Sequence, residues 1–152
     1  MEFILIMLIS SQVYVQYNHQ SKVQEPALAH VTGVNISGKE KKYNFNVTIK
    51  SPDEGCNQYA DWWEVISSNG ELLYRRILLH SHIKEQPFTR SGGPVEITQH
   101  QTVWIRAHMN NAGYGGKTYK GSVEMGFRET EMGNGFAADL EKQLPQPEGC
   151  SF

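Results

Sequence analysis

Two histidines, His80 and His82, stand one residue apart at the end of the apolar run "RRILLHSH". Successive side chains of a β-strand point to opposite faces, so residues separated by one position share a face. A strand over this run would present two imidazoles side by side, and neutral imidazole is a common ligand for copper and zinc. The spacing makes this pair a candidate metal site.

Two further residues are candidate ligands for the same ion. Glu85 lies three residues after His82, and His108 ends a second expected strand, "WIRAHM". If both strands end at one rim of the fold, the three histidines and the carboxylate converge beside the glycine-rich loop that contains Tyr114. The sequence therefore predicts a copper or zinc site. The alternative is that the histidines are surface residues that bind backbone and carboxylates.

A different copper site depends on how the N-terminus is processed. Cleavage after Ala29 would make His30 the first residue, and its amino group and imidazole would chelate copper together. Other histidines of the chain would complete the ligand set. Copper oxidases that cleave polysaccharides use such an arrangement, although this chain is short for one.

The aromatic residues favour a second class of function, in which sugar rings stack on a flat surface. The candidates for such a platform are Trp62, Trp63, Trp104, Tyr114 and Tyr119. Adjacent Trp62 and Trp63 point to opposite faces of a strand, so at least one is expected in the core. Tyr114 is the ring most expected to be exposed. A carbohydrate-binding or protein-interaction module without metal is the alternative function.

The stretch "EQPFTRSGG" after the histidines is expected to reverse the chain. Pro87 fixes its own φ and lacks a donor, and the pair Gly92–Gly93 suits a tight turn. Phe88 is expected to anchor this loop from below. Arg90 is expected to pair with Glu85 or Asp61, with binding of a ligand as its other role.

The segments that contain these residues have the sequence pattern of β-strands. In "YNFNVTIK" the apolar residues alternate with Asn, Thr and Lys, which is typical of a half-buried strand. About seven such strands over residues 30–127 predict an all-β fold, an antiparallel immunoglobulin-like β-sandwich. In the tail, residues 128–152, Phe136, Leu140 and Leu144 are four apart, which predicts a short C-terminal helix followed by an extended segment.

The N-terminal residues 1–29 indicate export. Phe3 to Ile9 is an apolar run long enough for a signal peptide and too short for a transmembrane span, with a buried first strand as the alternative. Cleavage is open between a site near Ser10 and one after Ala29. A secreted or periplasmic location follows.

Two cysteines, Cys56 and Cys150, fit an oxidising compartment. An even count in an exported chain indicates a disulfide, and two unrelated thiols are the alternative in a reducing compartment. We expect the disulfide.

The composition and motifs exclude several functions. With 14 basic and 16 acidic residues and a net charge of −2, the chain lacks the basic surface that nucleic-acid binding requires. It contains no GxSxG, HExxH, P-loop or GxGxxG motif, so an enzyme is not predicted. The expected partners are a metal ion, a sugar or another exported protein.

Three stretches carry a resemblance to known proteins: "SPDEGCNQYADWWEV", "LLYRRILLHSHIKEQPFTRSGGPV" and "VWIRAHMNNAGYGG". Together they resemble a family of small exported bacterial proteins without an assigned activity. The resemblance covers roughly residues 30–121, and "EQPFTRS" after a histidine pair is its most specific part. It implies a secreted β domain and supplies no catalytic residues.

Overall fold

A computed structural model describes residues 26–151 of the chain. The expected signal segment and its cleavage site near Ser10 lie outside the described residues. The strands are β1 His30–Lys39, β2 Lys42–Lys50, β3 Ala60–Ser67, β4 Leu72–Ile77, β5 Phe88–Val95, β6 Val103–Met109, β7 Tyr119–Ser122 and β8 Gly126–Glu129.

The strands form two antiparallel sheets, which confirms the predicted β-sandwich. The small sheet has the order β1-β2-β5, and the large sheet has the order β4-β3-β6-β7-β8. The first, second and fifth strands thus lie opposite the third, sixth and seventh, as in immunoglobulin-like sandwiches.

The core between the sheets follows the alternation of the sequence. In β2 the buried residues are Tyr43, Phe45, Val47 and Ile49. They meet Trp63 and Val65 of β3 and Ile105 of β6, all fully buried in the same cluster. Because neighbouring residues of a strand face opposite ways, the residues between these positions form the outer faces of the two sheets.

The strand before the histidines is shorter than predicted. β4 ends at Ile77, so His80 and His82 lie in the connection to β5 and not on a strand. The backbone N–H of Leu78 still donates to the carbonyl of Asp61 in β3, and further along the connection the backbone N–H of His82 donates to the Asp53 carboxylate. The chain crosses here from the large sheet to the small one.

The expected turn at "FTRSGG" was also wrong, because these residues form β5. Gly92 is in mid-strand, where a Cβ atom would lie 2.7 Å from the Tyr74 ring and 2.8 Å from the Trp63 ring. This glycine therefore serves close packing rather than a turn. Pro94 is tolerated because β5 is the edge strand of its sheet.

The predicted short helix of the tail is a single 3-10 turn. It spans Ala138–Lys142 and is the one helical element among residues 26–151. Leu140 is buried, but Leu144 is 76% exposed, so the expected apolar face is not formed. The disulfide Cys56–Cys150 is present, as predicted, and fixes the end of the tail.

Within residues 26–151, no helix is long and apolar enough to cross a membrane.

Candidate functional site

The histidine loop, residues 80–87, brings His80 and His82 together. The ring of His82 is buried and stacks on the ring of Phe88, with centroids 3.8 Å apart and an interplanar angle of 11°. The His80 ring is exposed and lies 4.6 Å from the His82 ring. Phe88 is fully buried, so it anchors the loop as expected.

Asp53 holds the loop in place through its backbone. One carboxylate oxygen accepts hydrogen bonds from the hydroxyl of Ser51, at 2.6 Å, and from the N–H of Ala60, at 3.1 Å. The other accepts the backbone N–H of His82 at 2.7 Å. Asp53 Oδ2 lies 3.8 Å from Nδ1 of the His82 ring, which is too long for a hydrogen bond.

Both ring nitrogens of His82 are therefore buried without a hydrogen-bond partner. Burial lowers the pKa of this imidazole, and the positive charges of Arg90 and His80 lower it further. The ring is consequently neutral at pH 7 and presents one nitrogen lone pair.

Glu85 and Arg90 form an ion pair on the exposed side of the loop. Two guanidinium nitrogens of Arg90 donate to the two carboxylate oxygens of Glu85, at 2.8 and 3.2 Å. This bond lowers the pKa of Glu85. The pairing is one of the two expected for Arg90, and it occupies the carboxylate that the sequence offered as a metal ligand.

His108 lies on the outer face of the large sheet in a different environment. Its ring stacks on Trp62 with centroids 3.6 Å apart and an interplanar angle of 7°. Nδ1 is 2.7 Å from a carboxylate oxygen of Asp61, and Nε2 is 3.1 Å from one of Glu141. A neutral imidazole has one N–H, so only the imidazolium can donate to both carboxylates at once. Burial raises the pKa of Asp61, and the hydrogen bond from His108 offsets part of this increase.

The predicted convergence of three histidines and Glu85 is not found. Among residues 26–151, no group of three or more His, Cys, Asp or Glu side chains could hold a metal ion. The structure joins His80 to His82, whereas His108 is bound to Asp61 and Glu141. Metal binding by the pair stays a prediction.

His30 would be the main ligand of the other candidate copper site, which requires cleavage after Ala29. Its Nδ1 accepts a hydrogen bond from the backbone N–H of Lys117 at 3.1 Å. Burial and the neighbouring lysines lower its pKa. Chelation through the amino group of His30 stays a prediction, since it depends on where the chain is cleaved.

The expected aromatic platform is not formed either. Trp62 is buried, and the planes of Trp62 and Tyr114 are inclined by 75°. The Tyr114 hydroxyl is buried, the Arg106 guanidinium lies 3.5 Å from the ring centroid, and burial raises the pKa of Tyr114 to about 12. Trp104 is half-buried beneath Lys120, whose ammonium is 4.5 Å from its ring. Tyr114, expected to be the most exposed ring, is half-buried, as are Trp104 and Tyr119.

Sequence reasoning missed a buried ionic group on the same outer face, which we call the arginine clamp: Glu64, Arg75 and Arg106. Glu64 is fully buried in the middle of β3, opposite Arg75 of β4 and Arg106 of β6. It accepts from Arg75 Nη2 at 2.7 Å and from Arg106 Nε at 2.7 Å.

The remaining guanidinium donors of the clamp bind the tail. Arg75 donates to the carbonyls of Leu140, Gln143 and Pro145. Arg106 donates to the carbonyls of Phe136 and Ala137. The only sequence signal was that the alternation within each strand places these charges on its outward face, and this signal does not reveal that the tail covers them.

Comparison with known proteins gives one informative relative. The chain is 39% identical over 100 residues to a protein of Halomicrobium mukohataei described as "Putative lipoprotein"; the match covers 64% of this chain and 49% of the relative. The chain thus spans about half the length of the relative that it matches. No family model and no solved structure matches.

Proposed function

We propose that this chain is an extracytoplasmic β-sandwich binding domain whose histidine loop binds a divalent transition-metal ion through His80 and His82. Two observations support the compartment. The disulfide Cys56–Cys150 fits an oxidising environment, and the relative carries a lipoprotein description. Lipid-anchored and freely secreted proteins are both extracytoplasmic.

The observation that carries the proposal is the pair of unpartnered ring nitrogens on His82. Buried polar atoms are nearly always hydrogen-bonded, so two buried nitrogens without a partner are unusual in a folded protein. A second imidazole, exposed and 4.6 Å away, supplies both a further ligand and a route from solvent. The lowered pKa keeps His82 in the neutral form that metals bind.

Two imidazoles leave coordination positions open on the ion. Water fills these positions in the isolated domain, so binding is weaker than at a closed site of four protein ligands. Copper(II) is the favoured ion, because it lies at the top of the affinity order for divalent metals and suits imidazole. Zinc(II) binds the same ligands less strongly.

Calorimetric titration of the metal-free protein with Cu(II), and separately with Zn(II), tests the proposal. The informative variants are His80→Ala and His82→Phe, alone and combined. Phenylalanine retains a flat ring against Phe88 and removes both nitrogens. Each single variant should lose at least about tenfold in affinity, the effect of one lost ligand or its close support.

His100→Ala is the matched control. His100 is an exposed histidine, 2.7 Å from Glu124 and outside the loop. Its removal should leave metal affinity unchanged. Unchanged Cu(II) affinity in the double variant, or no binding by the wild-type protein, would refute the metal site.

A further inference from the structure

Asp53 is a buried carboxylate beside the histidine loop, and it lacks a basic partner. Its side chain is fully buried, and among residues 26–151 no lysine or arginine forms a salt bridge with it. The three hydrogen bonds that it accepts, from Ser51, Ala60 and the backbone of His82, come from neutral donors. Buried charges in proteins are usually paired with an opposite charge or bound to a metal ion. The charge of Asp53 is therefore available to compensate a cation bound nearby.

Asp53 and His82 are held in a fixed relative position. Oδ2 of Asp53 accepts the backbone N–H of His82 at 2.7 Å and lies 3.8 Å from Nδ1 of the same residue. The carbonyl of His82 accepts a hydrogen bond from the side-chain amide of Gln86 at 3.1 Å, so the backbone is held on both sides. The ring consequently has its Nδ1 beside the carboxylate.

This arrangement is the one by which proteins fix the tautomer of a metal-binding histidine. A histidine that binds a metal through one ring nitrogen almost always donates the N–H of the other nitrogen to a carboxylate, a backbone carbonyl or water. A neutral imidazole has one N–H and one lone pair. If Nδ1 of His82 carries the hydrogen and donates it to Asp53, the lone pair is on Nε2.

The separation between the two groups can be closed without loss of the aromatic stack. The distance of 3.8 Å from Nδ1 to Oδ2 is about 1 Å longer than an N–H···O hydrogen bond. The planes of His82 and Phe88 are inclined by only 11°, so the imidazole can shift by this distance within its own plane and stay stacked. Asp53 need not move, because its other oxygen is fixed by Ser51 and Ala60.

We propose that Asp53 is a positioning residue for the metal site: it accepts the Nδ1–H of His82, so that Nε2 of His82 is the nitrogen that binds the ion. This inference rests on the proposed function. It gives Asp53 no contact with the ion, consistent with the absence, among residues 26–151, of a group of three possible ligands. The carboxylate raises the basicity of the imidazole and hence its affinity for the metal.

Nitrogen-15 NMR of protein labelled at its histidines, with and without Zn(II), tests the assignment. Zn(II) is diamagnetic, and the chemical shift distinguishes a ring nitrogen that carries a hydrogen from one that carries a lone pair or a metal. With Zn(II) bound, Nδ1 of His82 should carry the hydrogen and Nε2 should carry the metal. The spectrum of His82→Phe identifies the signals of His82. Zn(II) on Nδ1 would overturn the inference and leave the metal site in place.

The variant Asp53→Asn tests the carboxylate itself. Its amide oxygen can still accept from Ser51 and Ala60, but the amide nitrogen then faces His82 and cannot accept the Nδ1–H. The affinity for Zn(II), measured by calorimetry, should fall by about 10- to 100-fold. Glu54→Gln is the matched control, because it makes the same change at the adjacent, exposed carboxylate and should bind as wild type.

The outcomes separate this inference from the proposed function. If the wild-type protein does not bind Zn(II) or Cu(II), both are overturned. If it binds and Asp53→Asn has the same affinity as Glu54→Gln, only the role of Asp53 is overturned. Circular dichroism checks that both variants are folded. If Asp53→Asn does not fold, the position of the hydrogen in the zinc-bound wild-type protein decides.

Discussion

Two buried histidines of this molecule have the same stacking environment and opposite polar surroundings. His108 stacks on Trp62 at 3.6 Å and His82 on Phe88 at 3.8 Å, with nearly parallel rings in both cases. His108 has a carboxylate at each ring nitrogen, whereas His82 has a partner at neither. Stacking on an aromatic ring thus fixes the position of an imidazole but does not determine its role. The partners of its nitrogens decide whether it stabilises the fold or remains available to a ligand.

The largest effect should come from releasing the tail, which carries one of the two partners of His108. In Cys56→Ser, Cys150→Ser the loop of sequence separation 94 is no longer closed. The chain-entropy model gives a loss of about 5 kcal/mol in the free energy of unfolding. Urea unfolding measures this loss, and reductant should lower the stability of the wild-type protein without affecting the variant. A variant as stable as the oxidised wild type would contradict the prediction.

Substituting each of the two histidines by phenylalanine tests directly whether their polar partners differ in importance. His108→Phe keeps the stack on Trp62 but leaves Asp61 buried without its partner, which should cost about 3 kcal/mol. His82→Phe removes no hydrogen bond and nearly conserves volume, so its cost should stay below about 1 kcal/mol. Urea unfolding of both variants at pH 7 measures the difference. Equal losses would mean that the carboxylates contribute nothing at His108.

The smallest effect is a dependence on pH that belongs to His82. Its pKa in the folded protein lies below the ordinary value of 6.5, so between the two values the unfolded chain binds a proton that the folded chain does not. Stability should therefore fall as pH decreases through this window. His82→Phe removes this contribution, and its stability should change less between pH 7 and pH 5 than that of the wild type.

Urea unfolding of wild type, His82→Phe and His100→Ala at both pH values isolates this contribution. The exposed His100 provides the control for removal of a histidine as such. If His82→Phe is as sensitive to pH as the wild-type protein, the buried imidazole does not resist protonation.

Local pattern was sufficient to predict much of the fold. The alternation of Tyr43, Phe45, Val47 and Ile49 predicted β2, since apolar residues at every second position are typical of a half-buried strand. The pair Asn69–Gly70, which is typical of a tight turn, lies between β3 and β4. The bond between Cys56 and Cys150 was predicted from an even cysteine count in a chain expected to be exported, and it is present.

The features that the sequence did not predict depend on hydrogen bonds between residues that are far apart in the chain. The backbone of the histidine loop is bound by Asp53, which lies 29 residues before His82 in the sequence. The partners of His108 come from a neighbouring strand and from a tail 33 residues away. Spacing along the chain predicted the proximity of His80 and His82, but it carries no information about which segment covers a sheet face.

The arginine clamp has a consequence for how the tail can vary in evolution. Arg75 and Arg106 bind five backbone carbonyls of the tail, a group that every amino acid possesses. Most tail side chains are therefore free to change wherever the path of the backbone is kept, with Leu140, Glu141 and the disulfide-bonded Cys150 as anchored exceptions. The arginines have no such freedom, because lysine has a single ammonium in place of a planar group that reaches several acceptors at once. Among relatives, the tail should be recognised by its length and by the two distant arginines rather than by its own residues.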